Sequence, residues 1–267
     1  MTVFTKVKKE DLLNLKDFIE LEPKTIYEEL RLQQKEVTLI LYTSGKLLLQ
    51  GKKEAVDKIA EQLEKKGIGE RVEEESFRKE TGIIIGSDEA LKGDTFGGIV
   101  IAAVKADDAL RQKLIEMGVA DSKTLSDKEI MFMAEKIKKI AQCEIKSLLP
   151  EEFNHEDKVT EMLNKYHAQV AEYLKPGKHI VDKYPGCTVG DIAEEKAESK
   201  YVEVAAASVL ARATALKQLD FLSSQAGFTL PKGSTHVKEA LLKLKEKGLD
   251  SKKFVKLNFR NVQEILG

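Results

Sequence analysis

The sequence has few of the residues that mark disulfide-rich, disordered or membrane-spanning chains. Its 267 residues include two Cys, five Pro and no Trp. No apolar run approaches the roughly 18 residues of a membrane span, and the N-terminus lacks the apolar block of a secretion signal. Cys143 and Cys187 form no C-x-x-C pair, which argues against a structural zinc site. These absences predict a folded cytoplasmic protein that does not contact a membrane.

The sequence also lacks an excess of charge of either sign. The chain carries 44 Lys and Arg against 45 Asp and Glu, a formal net charge of -1. Without a global positive field, any binding of nucleic acid has to come from local patches. Hydrophobic residues make up 42% of the chain, which is enough to build a substantial core.

The pattern along the chain predicts two domains joined by a linker. Residues 1–66 read as a small α+β unit, with a hairpin that turns at Ser44 and Gly45 and an amphipathic helix after it. Residues 67–80 are polar and rich in glycine, as in a linker. Residues 81–267 alternate short apolar strands with helices, which predicts an α/β fold of mixed α+β character whose central sheet is flanked by helices.

Carboxylates stand near the ends of two predicted strands. Asp88 and Glu89 follow the apolar run GIIIG, and Asp182 ends the run HIVD. Acids brought together repel one another unless they share protons or bind divalent cations, and oxygen-rich sites select Mg²⁺ or Mn²⁺. Adjacent strand residues point to opposite faces, so Asp88 and Glu89 share a site only if the strand ends or bends there. Spacing alone leaves open the alternative that they cap a turn.

Three ordered blocks of sequence resemble the signatures of type 2 ribonuclease H. They are GSDEALKGDTFGG, DSKTLSD at residues 121–127 and AESKYVEVAAASVLARA at residues 197–213. Glu198 stands where ribonuclease HII carries aspartate and ribonuclease HIII carries glutamate, so the chain is more similar to ribonuclease HIII. The N-terminal unit likewise resembles the domain of that family that is related to the TATA-box-binding protein.

The resemblance implies a ribonuclease H-like catalytic domain that cuts the RNA strand of RNA/DNA hybrids with two Mg²⁺ or Mn²⁺ ions. The products would carry 3′-hydroxyl and 5′-phosphate ends. Asp88 and Asp182 would be the primary metal ligands, and Glu89 and Glu198 would complete the catalytic set. The hybrid would be the partner, bound in part by residues 1–66, and no obligate protein partner is evident, so a monomer is expected.

The resemblance also implies a set of substrate-binding residues. Where ribonuclease HII carries Gly-Arg-Gly and ribonuclease HIII usually Gly-Thr-Gly or Gly-Lys-Gly, this chain reads Leu91-Lys92-Gly93. A side chain at the first of these positions restricts the backbone or crowds the ribose. The other candidates, each with an ordinary turn, surface or packing role as the alternative, are Ser122, Lys123, Ser208 and Lys232, with Arg212 one helical turn after Ser208.

Two competing functions are kept open. One is incision at single ribonucleotides in DNA, as in ribonuclease HII. Leu91, Glu198 and Ser234, which stands where ribonuclease HII carries a tyrosine, argue against it. The other is a protein that keeps the fold and binds nucleic acid without catalysis, and the intact acidic set argues against that.

Overall fold

A computed structural model describes residues 2–15, 17–24, 28–72, 77–78, 80–119 and 125–267. The chain divides into two compact units, Met1–Ser76 and Phe77–Gly267. No helix in these described ranges is both long and apolar enough to cross a membrane.

The first unit is one antiparallel sheet with a helix packed on it. Its strands follow the order β2-β3-β4-β5-β1-β6. The core between sheet and helix is built from leucines of the strands and the apolar face of the second helix, including Ile59, Ala60 and Leu63. The elements are β1 Thr2–Thr5, α1 Lys9–Leu13, β2 Ile19–Leu21, β3 Glu28–Gln34, β4 Val37–Tyr42, β5 Leu47–Gly51, α2 Lys53–Lys65 and β6 Glu70–Val72.

Two predictions for this unit can be compared with the structure. The hairpin is present, since β4 and β5 pair around a turn in which Gly45 has φ +76°, a backbone conformation that favours glycine. The predicted linker, residues 67–80, contains strand β6, which pairs with β1 and forms one edge of the sheet. The unit therefore extends beyond residue 66, because a short polar strand at a sheet edge lacks the apolar alternation that identifies buried strands.

The second unit is a mixed five-stranded sheet between helices. Its strand order is β11-β10-β7-β8-β9, with β11, β10 and β7 parallel and with β8 and β9 antiparallel to their neighbours. The elements are β7 Ile84–Ala90, β8 Ile99–Ala106, α3 Asp108–Glu116, α4 Asp127–Ile140, β9 Gln142–Leu148, α5 Pro150–Phe153, α6 Val159–Leu174, β10 Lys178–Asp182, β11 Ile192–Glu194, α7 Ala197–Lys200, α8 Val202–Ala226, α9 Lys238–Glu246, a 3₁₀ turn Ser251–Lys253 and α10 Arg260–Leu266.

Helices α8 and α6 cover opposite faces of this sheet. The alanine-rich α8 contacts β7 and β8, while α6 contacts β8, β9 and β7 from the other side. Gly86 of β7 allows the closest approach, because a Cβ there would lie 2.3 Å from the backbone nitrogen of Val204. The buried Arg111 also holds α8 in place through an ion pair with Glu203 at 2.6 Å.

The AESK segment and the alanine-rich stretch after it do not form one continuous helix. The structure has two helices, α7 and α8, which are separated at Tyr201, a buried residue in extended conformation with φ -128° and ψ 119°. The alanine-rich composition favours helix on both sides of this break, so composition alone does not reveal it. The break places the short α7 beside the end of β10.

Substitution of Gly86 by Ala is expected to destabilise the second unit by about 1–3 kcal/mol, because the added methyl overlaps the backbone of α8. Denaturant unfolding of the full chain measures the change. Gly93→Ala is the matched control, since a Cβ at Gly93 meets no atom within 4 Å among the described residues. Equal free energies of unfolding for the two variants would contradict the close approach of Gly86 to the backbone of α8.

Candidate active site

Two neighbouring parallel strands, β7 and β10, bring three carboxylates to one edge of the sheet. Strand β7 continues through Asp88 and Glu89, so the bend expected from the sequence is absent. Asp88 interacts with Ser208 of α8, whereas Glu89 faces His167 of α6 on the other side of the sheet. Asp182 is the last residue of β10, one position beyond the pairing of Val181 with Ser87. All three acids line one cleft of about 470 Å³.

Glu198 reaches the same group from α7. Its side chain is 3% exposed and hydrogen-bonds that of Asp182. The backbone nitrogen of Ala197 also donates to Asp182 Oδ1 at 2.9 Å. The helix break at Tyr201 is therefore what turns this fourth carboxylate towards the strand ends.

Burial and mutual repulsion favour the protonated forms of the central acids. Burial, followed by the charges of Glu89 and Asp182, raises the pKa of Asp88 well above its ordinary value, although the hydrogen bond from Ser208 opposes this. Burial and the neighbouring Glu198 raise the pKa of Asp182 from 3.8 to about 7. The cluster thus holds protons at a pH where isolated carboxyls have lost them.

Glu89 has cationic and imidazole neighbours instead. Lys92 forms an ion pair with Glu89 Oε1, and His167 Nε2 lies 3.3 Å from Oε2. Burial opposes ionisation of Glu89, but His167 and Lys92 together outweigh it and lower the pKa of this carboxyl. Glu89 Oε2 is buried and makes no hydrogen bond of good geometry within the described residues, so its contact with His167 leaves acceptor capacity for a further partner.

Two buried histidines lie behind Glu89. The hydroxyl of Ser87 is 2.9 Å from His167 Nδ1 and 2.8 Å from His179 Nε2. Burial and the neighbouring His167 lower the pKa of His179 to about 4, so its ring is neutral at physiological pH. The contact between Ser87 and His167 Nδ1 orients the His167 ring so that its other nitrogen faces Glu89. His167 belongs to no metal-binding sequence motif, so no local pattern in the sequence identifies this contact.

The donor set suits a hard divalent cation. The four candidates supply only carboxylate oxygens, which Mg²⁺ and Mn²⁺ prefer. Over the described ranges, no three acidic, imidazole or thiol groups form a preformed metal cage. The carboxylates interact in pairs instead, and a bound cation would offset the repulsion that helps to raise the pKa values of Asp88 and Asp182.

The cleft loop, residues 91–94, forms one wall of the cleft. Leu91 has φ +71°, a left-handed conformation that costs a non-glycine residue about 1–2 kcal/mol. Its side chain is 8% exposed and packs in the hydrophobic core near Gly97. The chain therefore keeps the backbone conformation that glycine would adopt, and the leucine side chain is largely accommodated by the core.

The remaining substrate-binding candidates fall into two groups. Lys92, Gly93, Ser208, Lys232 and Arg212 all line the cleft. Asp127 pairs with Lys232, and with Arg212 at 3.8 Å, which ties the start of α4 to this rim. Ser122 and Lys123 lie outside the described residues.

Comparison with known proteins identifies the family and the fold. Residues 85–262 match the family model described as Ribonuclease HII. The Ribonuclease HIII of Bacillus subtilis strain 168 is 33% identical, over 85% of this chain and 84% of the relative. The crystal structure of Bst-RNase HIII in complex with Mn²⁺ aligns with a TM-score of 0.64 at 26% identity, covering 99% of this chain and 97% of that one. That of Aquifex aeolicus RNase H3 has a TM-score of 0.58 at 26% identity and covers 97% and 100%.

The mixed sheet between helices is thus a ribonuclease H-like fold, as the sequence predicts. The chain belongs to the type 2 ribonuclease H family, within its ribonuclease HIII branch. It is accordingly a hydrolase, an endonuclease that acts on RNA/DNA hybrids. The likeness of the first unit to the TATA-box-binding protein stays a prediction.

The raised pKa of Asp182 predicts how pH affects stability without metal. Between about pH 4 and 7 the folded protein retains a proton that the unfolded chain has released. In EDTA, the contribution of Asp182 to the free energy of unfolding is therefore largest below pH 4 and is lost as the pH rises towards 7. Asp182→Asn is expected to flatten this decline, as measured by urea unfolding at each pH. An equal decline of the free energy of unfolding in the unchanged protein and in the Asp182→Asn variant would contradict the repulsion between Asp182 and its acidic neighbours.

Proposed function

We propose that the chain hydrolyses the RNA strand of RNA/DNA hybrids in the cleft beside β7 and β10, with two Mg²⁺ or Mn²⁺ ions. The observation that carries this proposal is the convergence of Asp88, Glu89 and Asp182 on one cleft with basic side chains on its rim. Glu198 joins this group through its hydrogen bond with Asp182. Asp88 and Asp182 are the primary ligands, and Glu89 and Glu198 complete the set.

The cations, the lysines on the rim and the cleft loop have different roles in this proposal. When bound, the cations activate a water molecule and stabilise charge on the departing 3′-oxygen, which leaves 3′-hydroxyl and 5′-phosphate ends. Lys92 and Lys232 contact phosphates of the hybrid, since both place an ammonium group on the rim. Gly93 leaves open space at the cleft loop, so a sugar can approach the backbone there.

Asp88→Asn is expected to lower the rate of hybrid cleavage by about 100- to 1,000-fold, because it removes a charged ligand from the centre of the set. Binding of the hybrid should be unchanged or tighter, since the substitution removes a charge that repels phosphate. Gel-based cleavage of a labelled RNA/DNA duplex and fluorescence anisotropy measure the two effects.

Glu116→Gln is the control for this experiment, because Glu116 is an exposed acid on α3 and does not line the cleft. It should cleave like the unchanged protein. Absence of cleavage by the unchanged protein in both Mg²⁺ and Mn²⁺, with binding intact, would instead favour a nucleic-acid-binding protein without catalysis.

The substrate preference is the second testable part of the proposal. Leu91 fills the position of the first glycine in the ribonuclease HII loop, and Ser234 replaces the tyrosine. Cleavage is therefore expected within runs of RNA and to be little or none at a single ribonucleotide embedded in DNA. Cleavage mapping on both duplexes under the same conditions tests this, and efficient cutting at the single ribonucleotide would support the ribonuclease HII-like alternative.

Three further assignments stay predictions. They are the binding of the hybrid by the first unit, the monomeric state without an obligate protein partner, and the cytoplasmic location. The basic side chains Lys6, Lys8 and Lys9 of the first unit are candidates for contacting the hybrid backbone.

A further inference from the structure

A buried lysine far along the chain lies directly beneath the cleft loop. Lys256 is 0% exposed. Its Nζ donates to the carbonyl oxygens of Leu91 at 2.7 Å and Asp94 at 2.5 Å, the two ends of the loop. The Asp94 nitrogen also donates to the Leu91 oxygen at 3.1 Å, so the loop is a closed turn whose carbonyls converge on one ammonium group.

The backbone around Lys256 fixes its position. Its nitrogen donates to the Thr95 oxygen at 3.1 Å, and the Gly97 nitrogen donates to the Phe254 oxygen at 3.0 Å. Residues 254–256 therefore run alongside the segment that follows the cleft loop. This pairing leaves the lysine side chain little freedom to reach other groups.

The surroundings of the ammonium group are apolar. Its Nζ lies 5.3 Å from the ring centres of both Phe153 and Phe259. The nearby Asp94 carboxylate is used elsewhere, since its Oδ1 accepts a hydrogen bond from the Gly233 nitrogen at 2.6 Å. Burial lowers the pKa of Lys256 to about 7. A neutral amine still has two N–H groups, so Lys256 can donate to both carbonyl oxygens in either protonation state.

We propose that Lys256 is a positioning residue that holds the cleft loop in the conformation that receives the RNA strand. Burial of a lysine is unfavourable, and a methionine would fill the same apolar space without that cost. What the lysine adds is two hydrogen bonds to the loop in which Leu91 has a left-handed backbone. These hydrogen bonds stabilise the backbone conformation that a glycine at position 91 would adopt without strain. The proposal rests on the proposed function, because it assigns the loop to substrate.

The turn also connects to the second basic part of the rim. Gly233, which accepts from the Thr95 nitrogen at 3.0 Å and donates to Asp94, follows Lys232 directly. Loss of the Lys256 contacts should therefore weaken the contacts that both Lys92 and Lys232 make with the hybrid. The carboxylates on β7 and β10 are held by the sheet and do not depend on this lysine.

Lys256→Met tests the inference, because it keeps the apolar stem and removes the donors. We expect hydrogen exchange at the Asp94 amide to accelerate and both the Kd for a hybrid in Ca²⁺ and the KM to rise by about tenfold. The kcat should change by less than about twofold, and Mn²⁺ affinity without substrate should be unchanged. Lys256→Gln, which retains a shorter donor, should fall between Met and Lys, and it provides the comparison if the Met variant does not fold.

Lys245→Met is the matched control, since Lys245 also donates to a backbone carbonyl, that of Ile265 at 3.0 Å, away from the cleft. It should change none of these quantities. Unchanged exchange at Asp94 together with unchanged hybrid affinity in the Lys256 variants would overturn the proposal, as would a loss of Mn²⁺ affinity without a change in hybrid binding. If the unchanged protein cleaved no hybrid, the proposed function would fail, while exchange and binding would still decide the role of Lys256.

Discussion

Repulsion among buried carboxylates is the constraint on which the catalytic unit depends. Parallel strands β7 and β10 end at the same edge, so their acids lie together, and the break before α8 adds Glu198. Such a cluster is unfavourable in the absence of protons or cations. The surrounding structure holds it together regardless, through the close contact of Gly86 with α8 and the ion pair of Arg111 with Glu203.

Much of this arrangement could be predicted from the sequence. The alternation of apolar runs and helical patterns predicts the mixed sheet, and the S-x-x-E pattern at Ser126 and Glu129 predicts the capping box that begins α4. Of the four acids that the resemblance selects, Asp88, Glu89 and Asp182 line one cleft and Glu198 hydrogen-bonds Asp182, while their role as metal ligands stays a prediction. Periodicity and local signals suffice for these features because they depend on neighbours within a few residues.

The features that sequence reasoning missed depend on distant contacts. Asp88 and Glu89 were expected to need a bend, yet both line the cleft from consecutive positions of a regular strand, with Asp88 towards α8 and Glu89 towards α6. His167 has the spacing of a core residue on α6, and only the fold shows that its ring faces Glu89. Lys256 sits in a charged, amphipathic segment, where a surface position is the ordinary expectation.

The contact between Lys256 and the carbonyl of Leu91 joins residues 165 positions apart in the chain. Closing so long a loop has a large entropic cost, so contacts of this kind tend to form late in folding. The sheet and its acids can be assembled earlier from β7, β8 and their neighbours. The turn beside the acids would then become ordered after the sheet, so the surface that recognises the substrate would form after the chemical centre.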